Sequence, residues 1–217
     1  ADGGRREGLR VGLDAKTIRF SDFDGLDSLQ LRTALRFDGP DRRELNVSRF
    51  DLRLNDMLVT AAGQAIFRGD SIVTALGIKS QRLSIAGLLR LIPTSVLPLA
   101  SDYETDLAAA FDLRIDGTWN PATRTLPNVT ADYRMPAGYL FYVKDRYGSR
   151  IDTLALDATL RFRPQHPDST GVELREFKVS GIGMRLDAHG DLDRLIGDAG
   201  FDGAVKGDLS LDYLSRH

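Results

Sequence analysis

Apolar and polar residues alternate one by one along most of this chain. The clearest runs lie at residues 9–14, 29–38, 50–54, 107–117, 139–143, 154–162 and 201–211, with shorter pieces at 64–68, 177–179 and 184–186. Successive side chains of a β-strand point to opposite faces, so this period of two predicts strands with one apolar and one polar side. The chain is therefore predicted to be mainly β.

The polar positions of these runs are mostly Arg and Asp. A fully charged face lies in water, whereas strands buried on both sides read as continuous apolar runs. Turn or bulge signals separate the runs at residues 38–41, 116–117, 120–121 and 202–203, and residues 164–168 have the composition of an exposed loop. We therefore expect an antiparallel sheet with one continuous apolar side.

Two segments depart from the alternation. In residues 83–92, Ile85, Leu88, Leu89 and Ile92 share one helical face and Pro93 follows, which predicts a short amphipathic helix. A helix on a membrane surface needs a basic polar face, and only one Arg lies inside this one, so we expect it to cap the core. Residues 191–197 are predicted to form a helical turn or an irregular connection.

Length and composition set the class of protein. A chain of 217 residues, 42% hydrophobic and 28% charged, can bury a core without disulfides or metals, and no composition change marks a second domain. We expect one β-rich domain over residues 1–217.

The net charge of −2 argues against nucleic-acid binding, and the absence of cysteine removes thiolate sites. The longest apolar stretch, residues 83–100, is interrupted by Arg90, Pro93 and Pro98 and is too short to span a membrane.

No catalytic, cofactor or metal site is predicted. There is no Gly-x-Ser-x-Gly elbow, and the three histidines, His166, His189 and His217, lack metal-ligand spacing. Residues 21–28 contain part of an acidic calcium loop, but the twelfth position from Asp22 is Thr33, so a solvated turn is predicted. A carboxylate pair for glycoside hydrolysis stays open, because the spacing of side chains in space is not visible in a sequence. The chain is predicted to be non-enzymatic.

Three segments carry a resemblance to a known family: the Leu-rich helix that ends at Ile92-Pro93 and the closing segments 186–195 (LDAHGDLDRL) and 201–214 (FDGAVKGDLSLDYL). These segments resemble the AsmA family, which includes the TamB-like envelope proteins of bacteria. The resemblance runs from about Leu45 onward and lacks the N-terminal membrane helix of that family. It implies a curved antiparallel sheet, a β-groove or half-barrel, with one short helix. It also implies a role in outer-membrane biogenesis or lipid transport in the periplasm. The chain is then expected to be a piece of a longer protein anchored in the inner membrane, with lipid or outer-membrane assembly factors as partners.

An apolar groove would shield acyl chains, whose burial is worth ~0.8 kcal/mol per CH₂. The candidate groove residues are the apolar positions of the alternating runs: Leu31, Leu35, Phe37, Phe50, Leu52, Leu54, Phe111, Leu113, Ile115, Leu154, Leu156, Leu160, Phe162, Val205, Leu209 and Leu211. The same pattern would suit a packed β-sandwich that covers these side chains with protein. The alternative function is then a surface carbohydrate- or protein-binding sandwich that uses the central aromatics Trp119, Tyr133, Tyr139, Phe141, Tyr142 and Tyr147.

Overall fold

The computed structural model describes residues 7–16, 28–38, 43–92, 96, 102–144, 150–181, 183–195 and 198–210. Within these ranges the elements are β1 (Glu7–Lys16), β2 (Ser28–Asp38), β3 (Glu44–Leu54), β4 (Met57–Arg68), β5 (Ser71–Ser84), α1 (Ile85–Leu91), β6 (Tyr103–Thr105), β7 (Ala108–Trp119), β8 (Asn128–Tyr142), β9 (Arg150–Phe162), a 3₁₀ turn (Pro167–Ser169), β10 (Gly171–Gly181), β11 (Met184–Asp193) and β12 (Gly200–Leu209).

All twelve strands belong to one antiparallel sheet. They follow one another in chain order from β1 to β12, except that the short β6 lies off this path and pairs with the far end of β8. The sheet stays open, with β1 and β12 as its two edges. The predicted fold class, a curved open antiparallel sheet with one short helix, is confirmed.

The register places most apolar positions of the strands on one side of the sheet, which we call the apolar face. Its central row crosses ten strands through directly opposed residues: Thr33, Phe50, Ala61, Ile78, Leu113, Ala131, Leu160, Val172, Leu192 and Phe201. A shift of one residue in any strand would turn its apolar set toward the charged side, so the alternation itself specifies this register.

Bulges and glycines bend the strands. Register shifts interrupt the ladder between Val47 and Phe50 of β3 and between Leu174 and Phe177 of β10, and such bulges increase local twist. Gly63 of β4 has a φ of +152°, and a Cβ there would lie 2.2 Å from the carbonyl oxygen of Ala75. The backbones of β4 and β5 therefore approach each other at a point that accepts only glycine.

Helix α1 begins two residues later than predicted, because Leu83 and Ser84 still pair with β7. The Ser84 side chain accepts a hydrogen bond from the Gly87 N–H at 3.1 Å and so caps the helix. Ile85 packs against a small buried cluster of Leu107, Ala109 and Met135. Among the apolar residues predicted for the core-facing side of the helix, Ile85 makes this contact.

Other local predictions have mixed outcomes. A helical turn at residues 191–197 is wrong for 191–193, which continue β11, and the turn signal at 202–203 lies inside β12. Gly117 lies within β7 with a φ of +118°, and its pairing with Thr74 of β5 continues the ladder without a register shift, whereas residues 120–125 do form a turn. The acidic segment 21–27 and residues 39–41 lie outside the described residues.

Ion pairs and hydrogen bonds connect the strands on the opposite, charged face. The Asp112 carboxylate on β7 accepts from Lys79 of β5 at 2.8 Å and from Arg114 at 3.3 Å. The Thr159 hydroxyl on β9 donates to Asp132 of β8 and accepts from Arg175 of β10, both at 2.6 Å. Each exposed pair contributes only up to ~1 kcal/mol, but together they connect five neighbouring strands.

We expect Gly63→Ala to destabilise the fold by about 1–3 kcal/mol, because alanine is strained at this φ and its Cβ would meet the β5 backbone. Urea unfolding followed by circular dichroism measures this as a lower midpoint. Gly77→Ala on the neighbouring strand is the matched control, since its Cβ would have no neighbour nearer than 3.9 Å. Equal midpoints for the two variants would contradict the close approach.

We expect Asp112→Asn to lower stability at neutral pH by about 1 kcal/mol and to flatten the acid dependence of unfolding. The hydrogen bond from Lys79 holds the pKa of Asp112 below its ordinary value of 3.8. Its contribution is therefore complete above that value and is lost as the pH falls through the lower pKa of the folded state. Urea midpoints from pH ~7 down to ~2.5 test this. Asp152→Asn, at a carboxylate 65% exposed beside Arg150, is the control and should leave the urea midpoint at neutral pH unchanged.

Candidate functional site

The apolar face is the candidate site, because the register brings the predicted groove residues together there. Leu31 lies opposite Leu52, Leu113 opposite Ile78, and Val205 opposite Ala188. All the other predicted groove residues share this face except Leu211, which lies outside the described residues. The strand register places these residues on one face. Which molecule binds to that face stays a prediction.

The face also contains apolar side chains that the sequence analysis did not single out. The register adds Leu45, Val47, Val59, Ile72, Leu76, Val129, Val172, Leu174 and Leu192. These strands carry Thr, Ser, Ala or Gly at some apolar-face positions, which weakens the alternation. Only strand pairing identifies them as part of one surface.

No second layer of strands covers this face in the part of the chain that the structure describes. Outside the helix region, each described strand packs against its ladder neighbours. Fully buried hydrophobic side chains among the described residues are few: Met57, Leu107, Ala109, Met135, Ala155 and Val179. The chain exposes 14428 Å², whereas a compact monomer of 23.9 kDa would expose roughly 9,900 Å².

Exposure is uneven along the face. Near the middle, Leu154 and Leu156 pack against the buried cluster beside α1, so these two candidates contact protein. Toward the β12 edge, Phe201, Val205 and Leu209 are 51%, 61% and 58% exposed. The face is thus a shallow apolar surface with a covered centre and open sides.

Tyr133 places a phenol hydroxyl at the centre of the apolar face. It lies opposite Phe111 and packs beside Met135. Burial raises the pKa of its hydroxyl above the ordinary value of 10.0, so the group is neutral at physiological pH. The hydroxyl donates to the Met135 sulfur at 3.7 Å, and a thioether is a weak acceptor. Tyr133 could therefore donate to an oxygen of a bound molecule instead.

The central aromatics do not form one platform. Trp119 ends β7, whereas Tyr139 lies near the opposite end of β8, so the two are separated by roughly 40 Å along the strands. Tyr139 stacks under the Arg150 guanidinium at 4.7 Å, and Tyr142 contacts the ring of Tyr103 at 5.2 Å. Tyr147 lies outside the described residues. Among the described residues, Trp119 and Tyr139 therefore do not share one surface.

Among the described residues, no group of three or more His, Cys, Asp or Glu side chains is placed to hold a metal ion. No helix in the same part of the chain is both long and apolar enough to cross a bilayer.

Comparison with known proteins adds no assignment: no family model, no curated protein and no solved structure matches this chain. The similarity to the AsmA family therefore stays a prediction from the residues quoted above.

Proposed function

We propose that this chain is a non-enzymatic, AsmA-like β-groove domain that binds lipid acyl chains on its apolar face. The observation that supports this most directly is the continuous row of apolar residues from Phe50 to Phe201, which no second sheet covers in the described residues. Large contiguous apolar surfaces on soluble proteins mark sites that bind another molecule.

The dimensions suit an acyl chain. The central row crosses about nine strand spacings of ~4.8 Å, or ~43 Å. One leaflet of a bilayer core is ~15 Å thick, so a tail occupies only part of this length. Each buried CH₂ contributes ~0.8 kcal/mol wherever along the row it lies. A tail can therefore slide from strand to strand without a deep energy minimum, while its headgroup stays in water at the open side.

The charged outer face supports the same proposal. Its Lys–Asp and Arg–Asp pairs keep that side of the sheet in water, so only the other side is available to hydrocarbon. Four further points follow from the AsmA resemblance alone. They are transport of lipid toward the outer membrane, a periplasmic location, an inner-membrane anchor in the full-length protein, and partners among outer-membrane assembly factors. These remain part of the proposal.

Two adjacent alanines of β4 allow a matched test. Ala61 lies on the central row between Phe50 and Ile78, whereas Ala62 lies on the charged face. We expect Ala61→Asp to weaken binding of a phospholipid with a pyrene-labelled acyl chain at least ~tenfold, because a buried carboxylate costs more than ~1.4 kcal/mol. Ala62→Asp should bind as the unchanged chain does.

Circular dichroism and urea midpoints establish that both variants are folded, and mass spectrometry of extracted lipid gives a second measure. If the unchanged chain binds no labelled phospholipid and contains no lipid after purification, the proposal is wrong. It is equally wrong if folded Ala61→Asp and Ala62→Asp bind alike.

A further inference from the structure

Strand β12 forms an edge that has the features of a pairing surface. Every residue from Phe201 to Leu209 is exposed, and the ladder to β11 continues over ten residue pairs without a bulge. The strand contains no proline. Proteins usually blunt a free edge with bulges, prolines or short strands, because its unpaired N–H and C=O groups accept another strand.

The hydrogen-bond pattern determines which backbone groups of β12 point away from β11. The Ser210 N–H donates to the Gly183 carbonyl at 2.7 Å. Alternate residues of an antiparallel strand turn their N–H and C=O to the same neighbour, so the even-numbered residues bond to β11. The odd-numbered residues, from Phe201 to Leu209, therefore direct their N–H and C=O groups away from β11, where no strand of the described residues pairs with them.

The charges of β12 lack partners within the sheet. Asp202 lies opposite Asp191, a like charge, and Lys206 lies opposite Asp187, which is already paired with Arg185 at 3.0 Å. Neither Asp202 nor Lys206 forms a hydrogen bond or ion pair with any described residue. A cation on the free side of Asp202 would relieve the repulsion from Asp191.

A second β12 supplies that cation. When two copies of the strand lie antiparallel about a two-fold axis at Ala204, Asp202 of each faces Lys206 of the other. On the apolar face, Phe201 then lies over Gly207, and Val205 over Gly203. Phe201 and Val205 thus each meet a glycine, and opposed charges and apolar–glycine pairs favour this register. The other register that pairs Lys206 with an aspartate, Asp208, overlaps only about half of the strand.

We propose that the chain forms a homodimer through antiparallel β12–β12 pairing centred on Ala204. The outward groups of the odd-numbered residues then form about eight ladder hydrogen bonds. Opposed residues have the same parity, so the two apolar faces lie on the same side and join into one surface of twice the length. A lysine on an edge strand usually discourages pairing with other strands. In this dimer Lys206 lies opposite Asp202 of the other copy, so it favours this partner and this register. This proposal does not depend on the identity of the molecule that the apolar face binds.

The absence of cysteine from the chain gives a direct test. Ala204 would face its own copy across the axis in a non-hydrogen-bonded pair, where Cα atoms lie ~4.5 Å apart, within disulfide range. We expect Ala204→Cys to form a disulfide-linked dimer on mild oxidation. Asp202→Cys, an exposed position on the same strand and face, should not, because it would face Lys206. Equal cross-linking of the two variants would overturn the proposed register.

Sedimentation velocity of the full chain tests the dimer without new thiols. We expect a concentration-dependent dimer whose dissociation constant rises at least ~tenfold in Lys206→Asp, which places like charges opposite Asp202 twice. The double variant Asp202→Lys with Lys206→Asp restores the opposed charges and should recover the dimer. A monomer at all concentrations, or no recovery in a folded double variant, would overturn the proposal.

Discussion

The antiparallel hydrogen-bond ladder is the interaction on which the rest of this structure depends. Most of the sheet is a single layer, so a strand is held by its two neighbours and by the side chains opposite it, with little support from a core. The correct strand register is therefore especially important for this fold, because a slip of one residue would place arginines on the apolar side. The bulge in β3 shows how the chain maintains it. Val47 and Phe50 are an odd number of residues apart, and the extra residue between them returns both to the apolar face.

Much of this fold could be predicted from alternation, and the failures have a common cause. The pattern identifies β2, β7 and β9 because most of their apolar-face positions hold large side chains. It identifies β5 poorly, since Thr74 and Ser80 occupy apolar-face positions. Local turn signals misled at residues 191–193 and 202–203, where Asp and Gly are favoured in turns but the pairing of β11 with β12 holds them extended. Tertiary pairing thus outweighed local preference.

The candidate site was only partly visible in the sequence. Alternation predicts that a strand has one apolar side. It does not distinguish a side covered by protein from a side covered by a ligand, because both require the same types of residue. Leu154 and Leu160 illustrate this: both belong to the alternating run of β9, yet Leu154 packs against the cluster beside α1 while Leu160 is 38% exposed. The difference arises from the position of a helix after β5. Tyr133 was likewise grouped with aromatics that are neighbours in sequence, although the register places it at the centre of the apolar face.

An open single-layer sheet has two kinds of unsatisfied surface, an apolar face and two backbone edges. Closure into a barrel would remove the edges, but it would also enclose the apolar face and exclude any molecule whose polar end must remain in water. A sandwich would cover the face and leave nothing to bind. A sheet that is to hold hydrocarbon along its length therefore has to keep its edges and control them by sequence. The glycines and opposed charges of β12 provide such control, because they favour one partner strand in one register over indiscriminate pairing.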